Sequence, residues 1–217
     1  MGSYADDALF MSRNNIEYVE LISDDGKSKV MVIPAWQGRV MTTSAAGDEG
    51  DSYGWINYSF IKKRQIDLQF NPVGGEERFW LGPEGGVFSL YFRQGEKQIY
   101  KNWKVPPVLD IEAFKIQSQS KNCICLTKEG CLTNACGTTF YLNIKRTISL
   151  LDINEFAASF NLEFPKDIKA VAYKSDNQIT NIGNESWNKE TGLISVWMLS
   201  MFNPTSATTV FIPYKQS

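Results

Sequence analysis

The chain has 217 residues, of which 43% are hydrophobic and 21% are charged, a composition typical of a folded globular protein. Its 22 basic and 24 acidic residues give a formal net charge of -2, which lacks the basic excess that nucleic-acid binding needs, so no nucleic-acid partner is expected. The chain contains no histidine, which excludes Ser–His and Cys–His nucleophile pairs and the imidazole ligands of zinc.

A β-hairpin is predicted near the start of the chain. Residues 16–22 and 29–33 form short β-branched or apolar runs, and the turn residues Asp24-Asp25-Gly26 separate them. Residues 39–43 predict another strand. Residues 55–64 contain spaced apolar side chains and end in cations, so they predict one short helix, the only helix expected.

The clearest predicted strand covers residues 138–150. Apolar and polar side chains alternate along it, so one face should meet a core. Arg146 falls on the apolar face. A buried cation needs a counter-charge, and we therefore expect Arg146 to form a structural ion pair.

The last third of the chain is also predicted to be β-structure. Residues 168–173, 178–182, 193–202 and 208–212 form short strand-like runs between Asn, Gly, Pro and Ser. Residues 193–202 are apolar on both alternating faces, which predicts a central strand between two packed sheets. Together these patterns predict an all-β fold, a twisted antiparallel β-sandwich formed by residues 1–217 as a single domain.

No transmembrane segment, metal site or cofactor is predicted. No apolar run approaches the roughly 20 residues that span a bilayer. The exposed acidic loop with Asp48, Glu49 and Asp51 lacks EF-hand spacing, which favours a solvated loop over a calcium site.

Four cysteines lie within one short segment, and their spacing matches neither a zinc motif nor a thioredoxin-like motif. Free thiols and a cross-strand disulfide both remain open. These cysteines are Cys123, Cys125, Cys131 and Cys136.

The most unusual segment is residues 71–86, which contains five glycines, two prolines, three glutamates, one arginine and a Phe-Trp pair. Such loops often hold binding sites. An aromatic plane suits the C–H face of a sugar, and charged groups suit its hydroxyls. Because side chains alternate along an extended chain, we expect that Glu76 and Glu77 do not share one site, that Glu76 and Arg78 do, and that one of the two glutamates points outward. The alternative is that Arg78 fastens two loops through a glutamate while Trp80 is a core residue.

Three segments resemble an uncharacterised bacterial family related to galactose mutarotase (aldose 1-epimerase): residues 32–41, 78–86 and 178–184. The resemblance implies a β-supersandwich with a carbohydrate-binding cleft on one sheet face, and a location in the periplasm or at the cell surface. The chain departs from the mutarotases in one respect, since their acid is a histidine. Their mechanism therefore cannot be carried over.

Carbohydrate binding is the leading functional hypothesis. One alternative is a sugar epimerase or lyase in which Glu84 or Glu76 is the base and another carboxylate or a tyrosine is the acid. Another is a structural or interaction domain whose aromatic side chains pack against a partner. The oligomeric state is open. The predicted ligand-binding residues are Arg39, Trp55, Glu76, Arg78, Trp80, Glu84 and Trp103.

Overall fold

The computed structural model describes residues 2–165 and 167–214. In these residues nine strands form three antiparallel sheets, a mostly β architecture that is consistent with the predicted all-β sandwich. The strands are β1 (Val19–Ile22), β2 (Lys29–Ile33), β3 (Arg39–Ser44), β4 (Arg78–Gly82), β5 (Lys115–Gln119), β6 (Cys123–Thr133), β7 (Thr139–Leu150), β8 (Tyr173–Asn181) and β9 (Ser195–Leu199).

The prediction of one short helix is wrong, because the described residues contain four. The predicted helix is present but shorter, as α2. The sequence signal for α1 was missed: Ser3 accepts a hydrogen bond from the Asp6 backbone, and the Asp6 side chain accepts one from the Ser3 backbone, a capping box that fixes the start of the helix. The helices are α1 (Tyr4–Arg13), α2 (Tyr58–Lys62), α3 (Pro107–Asp110) and α4 (Ile153–Ser159).

The predicted hairpin is confirmed, and β3 extends it to a sheet of order β1-β2-β3. The chain between β3 and β4 contains α2 and returns to β3 just before β4 begins. Val40 and Glu77 exchange two backbone hydrogen bonds of 3.1 and 3.2 Å, and this bridge places β4 alongside β3. β4 then pairs with β9, with Trp80 directly opposite Trp197.

The prediction of a central strand at residues 193–202 is wrong. Only Ser195–Leu199 form a strand, and within the described chain β9 pairs with β4 alone. Val196 is 39% exposed and Trp197 is 37% exposed, although one belongs to each face of the strand. Apolar side chains on both faces therefore mark an exposed edge strand here, not a strand covered by two layers.

The four-stranded sheet has the order β5-β6-β7-β8. The predicted alternation over 138–150 is confirmed in β7, where the apolar side chains are buried. The prediction over 178–182 is confirmed by the end of β8, whereas 168–172 and 208–212 contain no strand. In residues 208–212 the apolar side chains of Val210, Phe211 and Ile212 are exposed, so this apolar run does not indicate a buried strand.

The main core lies where the sheets face one another. Val32 and Val40 from the first sheet, Phe79 from β4, and Ile124 and Ile144 from the four-stranded sheet belong to one apolar cluster and are closed to solvent. A second cluster packs α1 against the opposite face of β2 and β3. No helix in the described residues is long and apolar enough to cross a membrane. The assignment of residues 1–217 to one domain stays a prediction.

Replacing a core residue of β7 should destabilise the protein far more than replacing an apolar residue of the edge strand β5. Ile144→Ala removes fully buried methyl groups and should lower the free energy of unfolding by about 2–5 kcal/mol. The matched control Ile116→Ala, at a position that is partly exposed, should lower it by less than about 1 kcal/mol. Urea denaturation of both variants measures the difference, and equal losses would contradict the described core.

Candidate functional site

The chemistry of segment 71–86 is divided between the two faces of β4. Side chains alternate along a strand, so Arg78 and Trp80 share one face, and Phe79 and Leu81 share the other. Phe79 points toward the four-stranded sheet, where the Arg146 guanidinium lies 5.3 Å from its ring centre. Arg78 and Trp80 therefore lie on the other face of β4, called here the outer face, where protein also buries them.

The inner face contains a buried ion pair that confirms the prediction for Arg146. Arg146 donates to a carboxylate oxygen of Glu77 and, at 3.3 Å, to the backbone oxygen of Gln37. Both charged side chains are closed to solvent or nearly so. The expectation that one of the two adjacent glutamates points outward is wrong, because protein covers both sides of this segment and Glu76 and Glu77 are both buried.

Glu76 is also buried, and it has no arginine partner. Thr43 Oγ1 donates to its carboxylate at 2.9 and 3.1 Å, and Tyr173 lies beside it. Loss of hydration at 3% exposure raises the pKa of Glu76 to about 7. The prediction that Glu76 and Arg78 share one site is wrong, since Glu76 contacts Thr43 and Arg78 contacts Asp110.

Arg78 instead joins β4 to α3. Its Nη2 donates to Asp110 Oδ1 at 2.8 Å and to the Leu109 backbone oxygen at 2.9 Å. Asp110 also accepts from the Asn71 backbone and side chain, the latter at 2.7 Å, so the same carboxylate holds the start of segment 71–86. Arg78 does fasten two loops, as the alternative interpretation proposed, but through Asp110 and not through a glutamate.

Four aromatic rings surround the outer face of β4 and form a closed set, called here the aromatic box. Trp80 stacks on Tyr91 at 5.5 Å between ring centres, and Tyr91 stacks on Trp103 at 5.5 Å. Phe70 closes the set edge-on, 6.2 Å from Trp80 and 5.8 Å from Trp103. The Arg78 guanidinium lies 4.1 Å from the Trp80 ring centre. Trp80 is only 3% exposed, so its ring is occupied by protein contacts.

The surface above the aromatic box carries exposed groups of the kind that bind ligands. We call it the β4–β9 site and define it by Gly82, Glu84, Ser195 and Trp197. Trp80 Nε1 donates to Glu84 Oε1 at 2.7 Å and so fixes a partly exposed carboxylate. Trp197 packs edge-on to Trp80 at 5.9 Å and presents the rest of its ring to solvent.

Gly82 allows these groups to come together. A Cβ at this position would lie 2.8 Å from Ser195 Oγ and 3.7 Å from Trp197 Nε1, so the absence of a side chain brings β9 close to the start of the Glu84 loop. The loop is then held by Gln98, which accepts from the Gly86 backbone at 2.8 Å and donates to it at 2.6 Å. The site is thus built on two strands and a fastened loop.

The structure brings together only some of the predicted site residues. Arg78, Trp80, Glu84 and Trp103 lie in or around the aromatic box. Trp55 lies past the end of β9, where its backbone nitrogen donates to the backbone oxygen of Met201 at 3.0 Å. These placements leave the ligand contacts themselves as predictions.

Arg39 and Glu76 lie in the interior, away from the β4–β9 site. Arg39 donates to the Gly74 oxygen at 2.7 Å and is fully buried, which lowers its pKa well below the ordinary value. Neither side chain reaches the surface where a ligand would bind.

Sequence reasoning missed Ser195 and Trp197, which complete the site, and Asp110 and Tyr91, which support it. Trp197 was placed in a covered central strand because its neighbours are apolar on both faces. The period-two spacing of Ser195 and Trp197 puts them on one face, but the pairing with β4 spans more than a hundred residues and has no local signal.

The cysteines are all free thiols in the structure, with Cys131 exposed and Cys125 buried. In the described part of the chain no group of three or more Cys, Asp or Glu side chains is arranged to hold a metal ion. The question left open between thiols and a disulfide is answered in favour of thiols.

Glu76 should make stability fall as pH rises. Its pKa of about 7 in the folded protein lies above the ordinary value of 4.5, so the folded state keeps a proton that the unfolded state has lost. Between about pH 4.5 and 7 this group should therefore reduce the free energy of unfolding, by up to about 3 kcal/mol at 1.36 kcal/mol per unit. Glu76→Gln should lack this decline. Unfolding measured in urea across this pH range tests it, and parallel profiles for the two proteins would contradict the assignment.

Breaking the Arg78–Asp110 pair should be costly. Arg78→Met leaves a buried carboxylate without its counter-charge, which should lower the free energy of unfolding by about 3–5 kcal/mol. Adding Asp110→Asn should recover part of the loss, because it removes the uncompensated charge. The control Lys121→Met breaks an exposed pair with Asp24 and should leave the melting temperature nearly unchanged. If the single and double variants melt together, the pair does not hold the two elements as described.

Residues 2–217 match the model of a family of unknown function, DUF6786. No curated protein and no solved structure matches the chain.

Proposed function

The chain belongs to DUF6786, and we propose that it binds carbohydrate at the β4–β9 site. One observation supports this proposal above the others: the exposed ring of Trp197 lies beside Trp80, whose indole nitrogen fixes the Glu84 carboxylate. A flat apolar ring and a directed hydrogen-bond acceptor are the two groups that a sugar ring needs.

The proposed contacts follow from the chemistry of each group. The Trp197 ring offers a plane for the C–H face of a pyranose, and Glu84 accepts hydrogen bonds from adjacent hydroxyls. The Ser195 hydroxyl, on the same face of β9, both donates and accepts. Since sugars present hydroxyl edges and apolar faces together, this mixture favours a neutral saccharide over a purely apolar ligand.

The aromatic box supports the proposal because it makes the site rigid. Trp80 is held by Tyr91, Phe70 and Arg78, so the carboxylate bonded to Trp80 has little freedom to lose on binding. Groups that are fixed before the ligand arrives lose less entropy on binding. Arg78 and Trp80 thus act as supporting residues in this proposal, and Glu84 and Trp197 as the ones that touch the ligand.

The finer fold assignment belongs to the same proposal. A mutarotase-like supersandwich would place the sugar on a sheet face, as the β4–β9 site does. Of the segments that carry the resemblance, residues 78–86 include Trp80 and Glu84 of this region. Residues 178–184 cover the end of β8. A periplasmic or cell-surface location follows from that resemblance alone.

Binding without turnover is preferred over epimerase or lyase activity. An acid–base mechanism needs two titrating groups that reach the same substrate. Glu76, whose pKa suits such a role, is buried between the sheets beside Tyr173, away from Glu84. Anomer interconversion measured with several aldoses should therefore proceed at the same rate with and without the protein.

An interaction domain is the second candidate, and it has its own supporting observation. Phe211, Ile212 and Tyr214 are more than three-quarters exposed in a segment without regular structure. Removing these side chains should abolish partner binding under this alternative and leave sugar binding intact under the leading proposal.

Trp197→Ala should weaken sugar binding. Loss of one stacking ring should cost about 1 kcal/mol or more, which is roughly fivefold or more in Kd. The matched control is Trp55→Ala, since both tryptophans are 37% exposed but only Trp197 lies in the β4–β9 site. Calorimetric titration with monosaccharides measures both. Equal weakening by the two variants, or no binding of any sugar by the folded wild-type protein, would overturn the proposal.

A further inference from the structure

A concave surface lies at the start of β7, on the side of the four-stranded sheet that faces solvent. The outward side chains of β7 form a polar row that includes Thr139, Asn143 and Lys145, yet Tyr141 in the same row is aromatic and 55% exposed. Packing does not require an aromatic ring at a position open to solvent. A ring kept there is available to a ligand.

The turn that follows β8 folds over Tyr141 and forms a cavity of about 400 Å³. This volume lies within the roughly 300–1,000 Å³ that is typical of small-molecule sites. Trp187 provides a second aromatic wall, and it is fixed by an edge-on contact with the core residue Phe140 at 5.7 Å between ring centres. The cavity thus has two aromatic walls on separate elements.

The backbone of the turn is held in place by its own hydrogen bonds. Ile182 donates to the Tyr141 backbone oxygen at 3.0 Å, and Gly183 donates to the Asn181 side chain at 2.9 Å. Asn181 donates in turn to the Glu185 backbone oxygen at 2.7 Å. Gly183 lies against the Tyr141 ring, since a Cβ there would be 3.4 Å from it. The turn is therefore positioned without a ligand.

The polar groups that line the cavity have hydrogen-bonding capacity left over. In residues 2–165 and 167–214 the side chains of Asn184 and Glu185 make no hydrogen bond or ion pair with protein, and both are exposed. An amide donates and accepts, and a carboxylate accepts. A carboxylate without a counter-charge also repels anions. This set suits a neutral molecule with several hydroxyls and an apolar face.

We propose that the cavity between Tyr141 and Trp187 is a second carbohydrate-binding site, specific for neutral sugars. The class of ligand rests on the proposed function, whereas the site shares no residue with the β4–β9 site. Tyr141 and Trp187 contact the apolar faces of the sugar, and Asn184 and Glu185 bond its hydroxyls. Two separate sites on one chain would bind an oligosaccharide or polysaccharide more tightly than either site alone.

Fluorine NMR of protein labelled with fluorotryptophan tests the two sites separately. The chain has six tryptophans, and Trp187→Phe and Trp197→Phe assign the two resonances that report on the cavity and on the β4–β9 site. The probes are glucose, galactose, mannose, glucuronate, cellotetraose and mannotetraose. We expect a saturable shift of the Trp187 resonance with at least one neutral sugar, and a smaller one or none with glucuronate.

Tyr141→Ala should raise the Kd read at Trp187 roughly fivefold or more and leave the response of the Trp197 resonance unchanged. Tyr141 is exposed, so the variant should keep the wild-type melting temperature, and Tyr214→Ala is the matched control at another exposed tyrosine. A Trp187 resonance that no probe shifts, or a Kd read at Trp187 that is unchanged in Tyr141→Ala, overturns the second site. A shift at Trp187 without one at Trp197 supports the second site and rejects the β4–β9 site.

Discussion

The outer face of β4 depends on the contact between Arg78 and Asp110. Burying a guanidinium costs free energy, and a counter-charge and hydrogen-bond acceptors offset that cost. Asp110 provides the charge, Leu109 accepts a second bond, and the flat face of Arg78 lies on Trp80. Because Asp110 also binds Asn71, one carboxylate sets the positions of β4, α3 and the start of the glycine-rich segment together. The aromatic box is assembled around that junction.

The inner face follows the same rule with different partners. Arg146 from β7 reaches across the core to Glu77, so a charge pair, and not only apolar contact, sets how the four-stranded sheet lies over β4. Glu76 is the exception. It is buried next to Thr43 and Tyr173, no cation of the described residues pairs with it, and its raised pKa follows from burial. The two adjacent glutamates are therefore stabilised differently in the interior: Glu77 by the charge of Arg146, and Glu76 by taking up a proton.

The sequence predicted most where periodicity is local and least where distant segments meet. The hairpin, β7 and the ion pair of Arg146 follow from alternation and from the cost of burying a charge, both of which can be seen within a dozen residues. The partner of Arg78 could not be predicted, because Asp110 lies beyond a long irregular stretch and Glu76 and Glu77 are much nearer in sequence. The edge position of β9 could not be predicted either, since exposed and doubly buried apolar strands have the same pattern. For the site, segment 71–86 indicated Trp80 and Glu84, whereas Trp197 depended on strand pairing.

The indole rings of Trp80, Trp103 and Trp197 lie close enough for their electronic transitions to couple. Trp80 and Trp197 are 5.9 Å apart, and Trp80 is linked to Trp103 through the stacked ring of Tyr91. Coupled transitions in a fixed chiral arrangement produce strong near-ultraviolet circular dichroism, and absorbed energy passes among the rings before it is emitted. Trp80, Trp103 and Trp197 should therefore contribute a near-ultraviolet signal that depends on the geometry of this one small region.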